Sequence, residues 1–147
     1  MSEQTRPARL NRADFRKFTP IQTRWHDNDI YGHVNNVVYY AWFDTAVNGL
    51  LIEAGLLEPA TSETVGLVVE TRCVYFASLK FPQVLEIGLR VAHLGKSSVR
   101  YSLGVFAQGA DDVAAQGEFT HVYVARATQK PVAIPAAIRA FLERLHA

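Results

Sequence analysis

The apolar positions of residues 37–55 follow the pattern of a buried helix. The segment reads VVYYAWFDTAVNGLLIEAG, in which Asp44 and Asn48 are four positions apart and share one helical face. Most other positions around the helix are apolar. A helix of this kind is buried on almost every side, and Gly55 is placed to end it. The pattern predicts a long central helix over Val37–Gly55.

Five other segments have the composition and alternation of β-strands. The clearest is Leu85–Leu94, in which apolar residues alternate with more polar ones. Short segments containing Gly, Pro, Ser and Asp separate several of these strands and predict turns. The predicted strands are Phe18–Trp25, Leu67–Phe76, Leu85–Leu94, Val99–Ala107 and Val113–Arg126, and a final short helix is predicted over Ala136–His146.

This order of elements is typical of an α+β domain. One curved antiparallel sheet of five strands, wrapped around the long helix, would cover the helix and give each strand one buried face. The polar start of the chain, residues 1–16, is predicted to be an N-terminal tail, and residues 17–147 are predicted to form a single domain.

Composition and charge exclude several classes of protein. Fifteen Lys and Arg against fourteen Asp and Glu give a formal charge of +1, which favours neither a nucleic acid nor an anionic membrane as partner. Polar residues interrupt the apolar segment 37–55, which argues against a membrane span. The single cysteine, Cys73, cannot form an internal disulfide, so we expect a cytoplasmic protein. No phosphate-binding loop or dinucleotide fingerprint is present, and no cofactor is predicted.

Residues 25–36, WHDNDIYGHVNN, place an unusual number of polar side chains directly before the helix. The residues of this loop that metals accept as ligands are His26, Asp27, Asp29 and His33. No second ligand cluster supports them, and no metal site is predicted. Asn35 or Asn36 can cap the helix, but one cap satisfies one of the four unpaired N–H groups at a helix start.

The same helix start also suits catalysis. An unpaired backbone N–H at the positive end of a helix can stabilise a developing oxyanion, and a carboxylate a few residues upstream can attack a carbonyl or activate water. A thioester is a suitable substrate because its thiolate leaving group needs no protonation, since a thiol has a pKa of about 8.5. A serine hydrolase is not favoured, because Gly95-Lys96-Ser97-Ser98 is a hairpin turn and not a nucleophile elbow.

The motif D-x-D-x-x-G-H-V-N-N of residues 27–36 resembles the hotdog-fold acyl-CoA thioesterases of the 4-hydroxybenzoyl-CoA thioesterase type. The resemblance extends through Val74-Tyr75-Phe76 and Gly95–Ser98 and covers about residues 18–127. Members specific for 4-hydroxybenzoyl carry an apolar pair where this chain has His33-Val34, so aromatic specificity is not implied. The chain is closer to thioesterases of long-chain acyl-CoA and acyl-carrier protein, some of which are proposed to use a histidine here.

The resemblance implies a role for each of several residues. The catalytic carboxylate falls on Asp29, as nucleophile or general base, and the oxyanion-binding N–H falls on Asn36. His33 either takes part in the chemistry or orders the loop. The residues expected to contact substrate are Tyr39, which can line the acyl pocket, and Lys96, Ser97 and Ser98, which lie where related enzymes approach coenzyme A.

The resemblance also implies an assembly and leaves the reaction partly open. It implies a homodimer whose sheets join edge to edge, often paired again into a homotetramer, with active sites at the subunit interface and an acyl-CoA as substrate. Two alternatives stay open: an acyl-CoA hydratase or dehydratase of the same fold, and a non-catalytic acyl-CoA binding module. The residues determine neither the acyl group nor the choice between coenzyme A and acyl-carrier protein.

Overall fold

The predicted sheet and central helix are both present in the computed structural model, which describes residues 6–146. Five antiparallel strands lie in the order β1-β3-β4-β5-β2, and the long helix α1 packs against one face of the sheet. This arrangement confirms the predicted α+β hotdog fold. The elements are β1 Lys17–Gln22, α1 Val38–Glu53, β2 Thr64–Tyr75, β3 Val84–Leu94, β4 Ser98–Ala107, β5 Ala115–Ala125 and α2 Ala136–Glu143.

Helix α1 is buried along one side and not on almost every side, as its composition predicts. The buried residues of α1 are Tyr39, Trp42, Phe43, Ala46, Val47, Leu50 and Leu51. The opposite side is exposed at Ala41, Asp44, Thr45, Gly49 and Ile52. The prediction of near-complete burial is therefore wrong for the single chain, because one five-stranded sheet covers one side of a helix.

The ends of α1 are formed by residues close to those predicted. Gly55 has a φ of 74°, and the N–H of Leu56 donates to the carbonyl of Leu51 at 2.9 Å, which closes the C-terminus as predicted. At the start, the side chain of Asn35 accepts from the N–H of Val37 at 3.2 Å. The helix itself begins at Val38, and Val37 occupies the N-cap position without a side-chain capping bond. The prediction that Asn35 or Asn36 caps the helix is therefore wrong, because the asparagines lie one and two residues before that position.

The face of the sheet turned toward α1 carries the alternating apolar residues that the sequence predicts. Leu85, Ile87, Leu89 and Val91 of β3 are all buried, with exposed fractions of 2% or less. Burial of these side chains is the main stabilising contribution, at about 1.5 to 3 kcal/mol for each. The sheet therefore holds α1, and the loop before it, in a fixed position.

The same face also buries an imidazole among aromatic rings. His121 of β5 is 1% exposed, and its ring centroid lies 6.0 Å from that of Tyr101 and 6.4 Å from that of Tyr123. A Cβ added to Gly66 on the neighbouring strand would lie 2.7 Å from the His121 Nδ1 atom, so glycine makes room for the ring. Burial lowers the pKa of His121 from 6.5 to about 4. His121 is therefore neutral at pH 7.

The outer face of the sheet is covered by residues 6–16, which the sequence assigns to an N-terminal tail. Phe15 packs over Gly88 and Gly104, which are paired across β3 and β4, and it meets Phe106 edge to face at 5.7 Å. A Cβ at Gly104 would come within 2.7 Å of the Phe15 ring. The side chain of Gln116 binds two backbone groups of this segment, at 2.8 and 2.9 Å. We call residues 6–16 the N-terminal strap.

Within residues 6–146, no helix combines the length and the apolar character that crossing a bilayer requires.

Candidate active site

The loop before α1 is anchored by a buried carboxylate. Asp27 is 1% exposed, and its two oxygens accept from the side chain and the backbone N–H of Arg24, each at 2.8 Å. The carbonyl of Asp27 accepts from the N–H of Asn35 at 2.9 Å. Both acceptor groups are thus occupied, which suits a structural role and leaves Asp27 unsuited to attack a substrate.

Asp29 is partly buried and holds a tight turn. Its Oδ1 atom accepts from the N–H of Tyr31 at 2.8 Å, and its own N–H donates to the carbonyl of His33 at 2.8 Å. Gly32, with a φ of 79°, allows the chain to reverse between them. Among the described residues, no hydrogen bond is recorded for the second carboxylate oxygen, Oδ2. The turn therefore fixes the carboxylate through Oδ1 alone.

A cavity of about 280 Å³ lies at the start of α1. The residues that line it are His33, Val34, Asn36, Tyr39, Tyr75, Phe76, Ala77 and Ser78. The structure thus brings together three of the predicted site residues, His33, Asn36 and Tyr39. Asp29 is not one of the lining residues, although its N–H is bonded to His33, which is.

Asn36 lines this cavity, and its amide N–H has no internal partner among the described residues. No acceptor within the described part of the chain is bonded to it, whereas the carbonyl of the same residue accepts from the Tyr75 hydroxyl at 2.7 Å. The amide lies two residues before α1, at the positive end of the helix dipole. An unpaired N–H in this position can bind the oxygen of a substrate carbonyl.

Tyr75 is a residue of this site to which the sequence analysis assigned no role. It lies at the end of β2, its ring meets that of Tyr39 edge to face at 4.9 Å, and burial and the neighbouring Cys73 raise its pKa. Burial likewise raises the pKa of Tyr39 to about 12. Both phenols therefore keep their protons at neutral pH. Tyr75 belongs to a strand pattern in the sequence, and nothing in that pattern indicates a bond to a residue 39 positions away.

Lys96, Ser97 and Ser98 do not join the cavity within one chain. They form the turn between β3 and β4, and the backbone carbonyls of Ser97 and Lys96 accept from Tyr123 and Ile134. The loop of residues 25–36 lies at the other end of β3, where the Asn28 side chain accepts from the N–H of Phe81 at 3.1 Å. The 11 residues of β3 separate the two ends by about 35 Å.

In residues 6–146, no group of three or more His, Cys, Asp or Glu side chains is arranged to hold a metal ion. Of the candidate ligands in the loop, Asp27 is bound to Arg24 and His33 lines the cavity.

Comparison with known proteins shows the family of this chain. Residues 23–142 match the family model described as the thioesterase-like superfamily. The chain belongs to this superfamily. Its matched segment includes both the loop of residues 25–36 and all of β2–β5, so the family assignment covers every element that builds the cavity. Comparison with curated proteins gives no match.

Solved structures resemble this thioesterase-like protein over nearly its whole length. The PA5185 protein of Pseudomonas aeruginosa is 54% identical, with a TM-score of 0.93, and the match covers 95% of this chain and 98% of that one. The TT1821 protein of Thermus thermophilus is 26% identical, with a TM-score of 0.78, over 89% of this chain and 100% of that one. BH1999, a gentisyl-coenzyme A thioesterase, is 25% identical, with a TM-score of 0.75, over 86% and 99%. The family and these structures support thioester hydrolysis as the general activity.

Proposed function

We propose that this protein is an acyl-CoA thioesterase in which Asp29 and the amide of Asn36 act on the thioester. The observation that carries the proposal is the unpaired N–H of Asn36 at the start of α1, beside a cavity. Seven residues earlier lies Asp29, whose carboxylate accepts a hydrogen bond through only one of its oxygens among the described residues. These two groups are the minimum that thioester hydrolysis needs, because the leaving thiolate requires no acid of its own.

In the proposed reaction, the thioester carbonyl accepts a hydrogen bond from the Asn36 N–H. Asp29 Oδ2 then either attacks the carbonyl carbon or removes a proton from a water that attacks it. In the first case a mixed anhydride forms and water hydrolyses it. In both cases the C–S bond breaks, coenzyme A leaves as a thiolate, and the acyl group is released as a carboxylate after one water is consumed.

We propose two roles for His33, ordering of the loop and contact with the substrate. Its carbonyl accepts from Asp29, which orders the loop, and its side chain is exposed and lies among the cavity-lining residues. A side chain in that position can contact the substrate, whereas the backbone bond requires no imidazole. Replacement of the side chain distinguishes the two roles, as described in the Discussion.

We also propose that two chains pair through β2. This strand lies at the edge of the sheet, and Leu67, Val68 and Val69 in its centre are 40%, 46% and 59% exposed. An exposed apolar edge strand is a template for pairing with another strand. The uncovered side of α1, with Gly49 open to contact, supplies further apolar area for the same partner.

Antiparallel pairing of two β2 strands would complete the site. In one chain, Ser98 of β4 and Leu67 of β2 are both aligned with Val122 of β5, whereas Tyr75 is aligned with Ala115 at the other end. Antiparallel pairing places the start of one β2 beside the end of the other. The Lys96–Ser98 turn of one chain would then approach the Tyr75 end of its partner, where the cavity lies. A substrate held at the cavity could extend its coenzyme A portion toward that turn.

Val69→Asp is expected to convert the dimer to monomers and to abolish hydrolysis, because it places a charge in the centre of the paired edge. Light scattering during size-exclusion chromatography measures the mass of the particle. Lys17→Asp, at an exposed position of the opposite edge strand β1, is the matched control and is expected to leave both mass and activity unchanged. A dimer that persists in Val69→Asp would contradict pairing through β2.

The reaction is tested with a panel of short, long, branched and aromatic acyl-CoAs, by following the release of free thiol. Thiol release from at least one acyl-CoA is the expected result. Hydration of a crotonyl-type substrate without thiol release would instead identify a hydratase. Saturable binding of acyl-CoA without turnover of any substrate would identify a binding module. The same panel with acyl-carrier-protein thioesters distinguishes the two carriers.

A further inference from the structure

The peptide groups on both sides of the Asn36 Cα atom are fixed by hydrogen bonds. On the preceding side, the carbonyl of Asn35 accepts from the N–H of Val38 at 3.0 Å. One peptide earlier, the N–H of Asn35 donates to the carbonyl of Asp27 at 2.9 Å. On the following side, the carbonyl of Asn36 accepts from the Tyr75 hydroxyl at 2.7 Å. Every backbone polar group of Asn35 and Asn36 is thus bonded except the Asn36 N–H.

The bond from Tyr75 differs from the others because it comes from the sheet. The bonds to Asn35 lie within residues 27–38 and move with the loop. Tyr75 is at the end of β2, where it is aligned with Ala115 of β5, and its ring packs at 4.9 Å against Tyr39 on the first turn of α1. The hydroxyl therefore connects the Asn36 peptide to the sheet, independently of the loop.

We propose that Tyr75 is a positioning residue that holds the Asn36 amide in the orientation needed to bind the oxyanion. This inference rests on the proposed function. Tyr75 acts through the backbone of Asn36 and does not supply the oxyanion bond itself. Its phenol is suited to this role because burial keeps it protonated at neutral pH, so it donates a hydrogen bond and carries no charge that would repel an oxyanion.

A fixed donor matters because stabilisation of a transition state depends on groups that are in place before the reaction. Without the bond from Tyr75, the Asn36 Cα atom would lose its link to the sheet, and the N–H attached to that residue would shift with it, together with the rest of the loop. A displacement of about 1 Å of a catalytic group can lower the rate about 100-fold. The ground state of the substrate forms a weaker bond to the amide than the transition state does, so affinity for substrate should change much less than turnover.

The test compares Tyr75→Phe with the unaltered protein, using a thioester that the unaltered protein hydrolyses. Loss of one hydrogen bond predicts a fall in kcat of about 10-fold, with KM and the melting temperature nearly unchanged. Amide exchange measured by NMR is expected to become faster at Val37, whose N–H belongs to the peptide that Tyr75 holds and donates a long hydrogen bond, 3.2 Å, to the Asn35 side chain. Tyr123→Phe is the control for loss of a phenol hydroxyl alone, because the hydroxyl it removes is buried, has no hydrogen-bond partner among the described residues and belongs to a residue that does not line the cavity.

Three results would overturn the proposal: an unchanged kcat in Tyr75→Phe, an equal fall in Tyr123→Phe, or unchanged exchange at Val37. A failure of the role proposed for Tyr75 can be told apart from a failure of the proposed function. If the unaltered protein hydrolyses no thioester, the proposed function fails, and the exchange at Val37 alone decides whether Tyr75 fixes this peptide. If Asp29→Asn is inactive while Tyr75→Phe is fully active, the proposed function stands and the role of Tyr75 is wrong.

Discussion

Asp29→Asn is expected to lower kcat for thioester hydrolysis by about 10²- to 10⁴-fold, which is the usual contribution of a positioned base. Asparagine has nearly the same shape as aspartate, and its side-chain carbonyl can still accept from the N–H of Tyr31. The turn is therefore retained, while the negative charge and the basic lone pair of Oδ2 are lost. Thiol release measured under saturating substrate gives kcat, and thermal unfolding shows that the variant is folded.

Asp27→Asn is the matched control, two residues earlier in the same loop. Its carboxylate accepts two bonds at 2.8 Å from Arg24 and is buried, so the expected loss is in stability, about 1 to 3 kcal/mol, and not in turnover per folded molecule. Equal losses of kcat in the two variants, at a temperature where both are folded, would contradict the assignment of Asp29. In the same assay, His33→Ala with nearly full turnover would limit His33 to ordering the loop through its backbone.

Acidification from pH 6.5 to pH 4 is expected to destabilise the fold through His121. Burial lowers its pKa from 6.5 to about 4 in the folded state, so the unfolded chain binds a proton at a higher pH than the folded chain does. The free energy of unfolding therefore falls as pH decreases through this window, and below pH 4 the loss is complete. A shift from 6.5 to about 4 corresponds to about 3 kcal/mol.

Denaturant unfolding at several pH values measures this dependence. His121→Phe keeps an aromatic ring against Tyr101 and Phe119 and removes the titrating group. The slope of its free energy of unfolding against pH should be smaller than that of the unaltered chain by the equivalent of about one bound proton, whatever its stability at pH 7. Carboxylates such as Glu86, whose pKa is lowered by a hydrogen bond from Arg12, lose their contribution below pH 4.5 and so act outside most of this window. Identical pH slopes for the two proteins would contradict the assignment.

The elements of the fold follow from local patterns in the sequence. The alternation over Leu85–Val91 and the apolar positions of α1 each reflect one buried face. Such a face repeats at a short, regular spacing along the chain, so the element can be predicted from neighbouring residues alone. The sequence overpredicts the burial of α1. Its apolar composition indicates that most of the helix surface is suited to burial, whereas the sheet of the single chain covers only one side of it. Gly49, which nothing in this chain approaches within 4 Å, is an example of a residue that the single chain does not explain.

The candidate site is predictable only where it is local. Asp29, His33 and Asn36 lie in one loop, and the loop motif places them together. Tyr75 reaches Asn36 across 39 positions, and such a contact depends on which strand lies beside the helix start, which periodicity does not encode. The distance between the loop and Lys96 follows from a hairpin that the sequence does predict, because the strand between two turns keeps those turns apart.

The packing of Phe15 over Gly88 and Gly104 has a practical consequence for shortening the protein. The pattern of apolar residues suggests that the folded unit begins near residue 17, yet the N-terminal strap ahead of it covers the glycine pair and Phe106 on the outer face. A chain cut at residue 17 would retain all five strands and the loop of residues 25–36, but its sheet would expose an apolar groove to water. Truncated preparations would therefore be prone to aggregate, and an added tag is better separated from the strap by a flexible spacer.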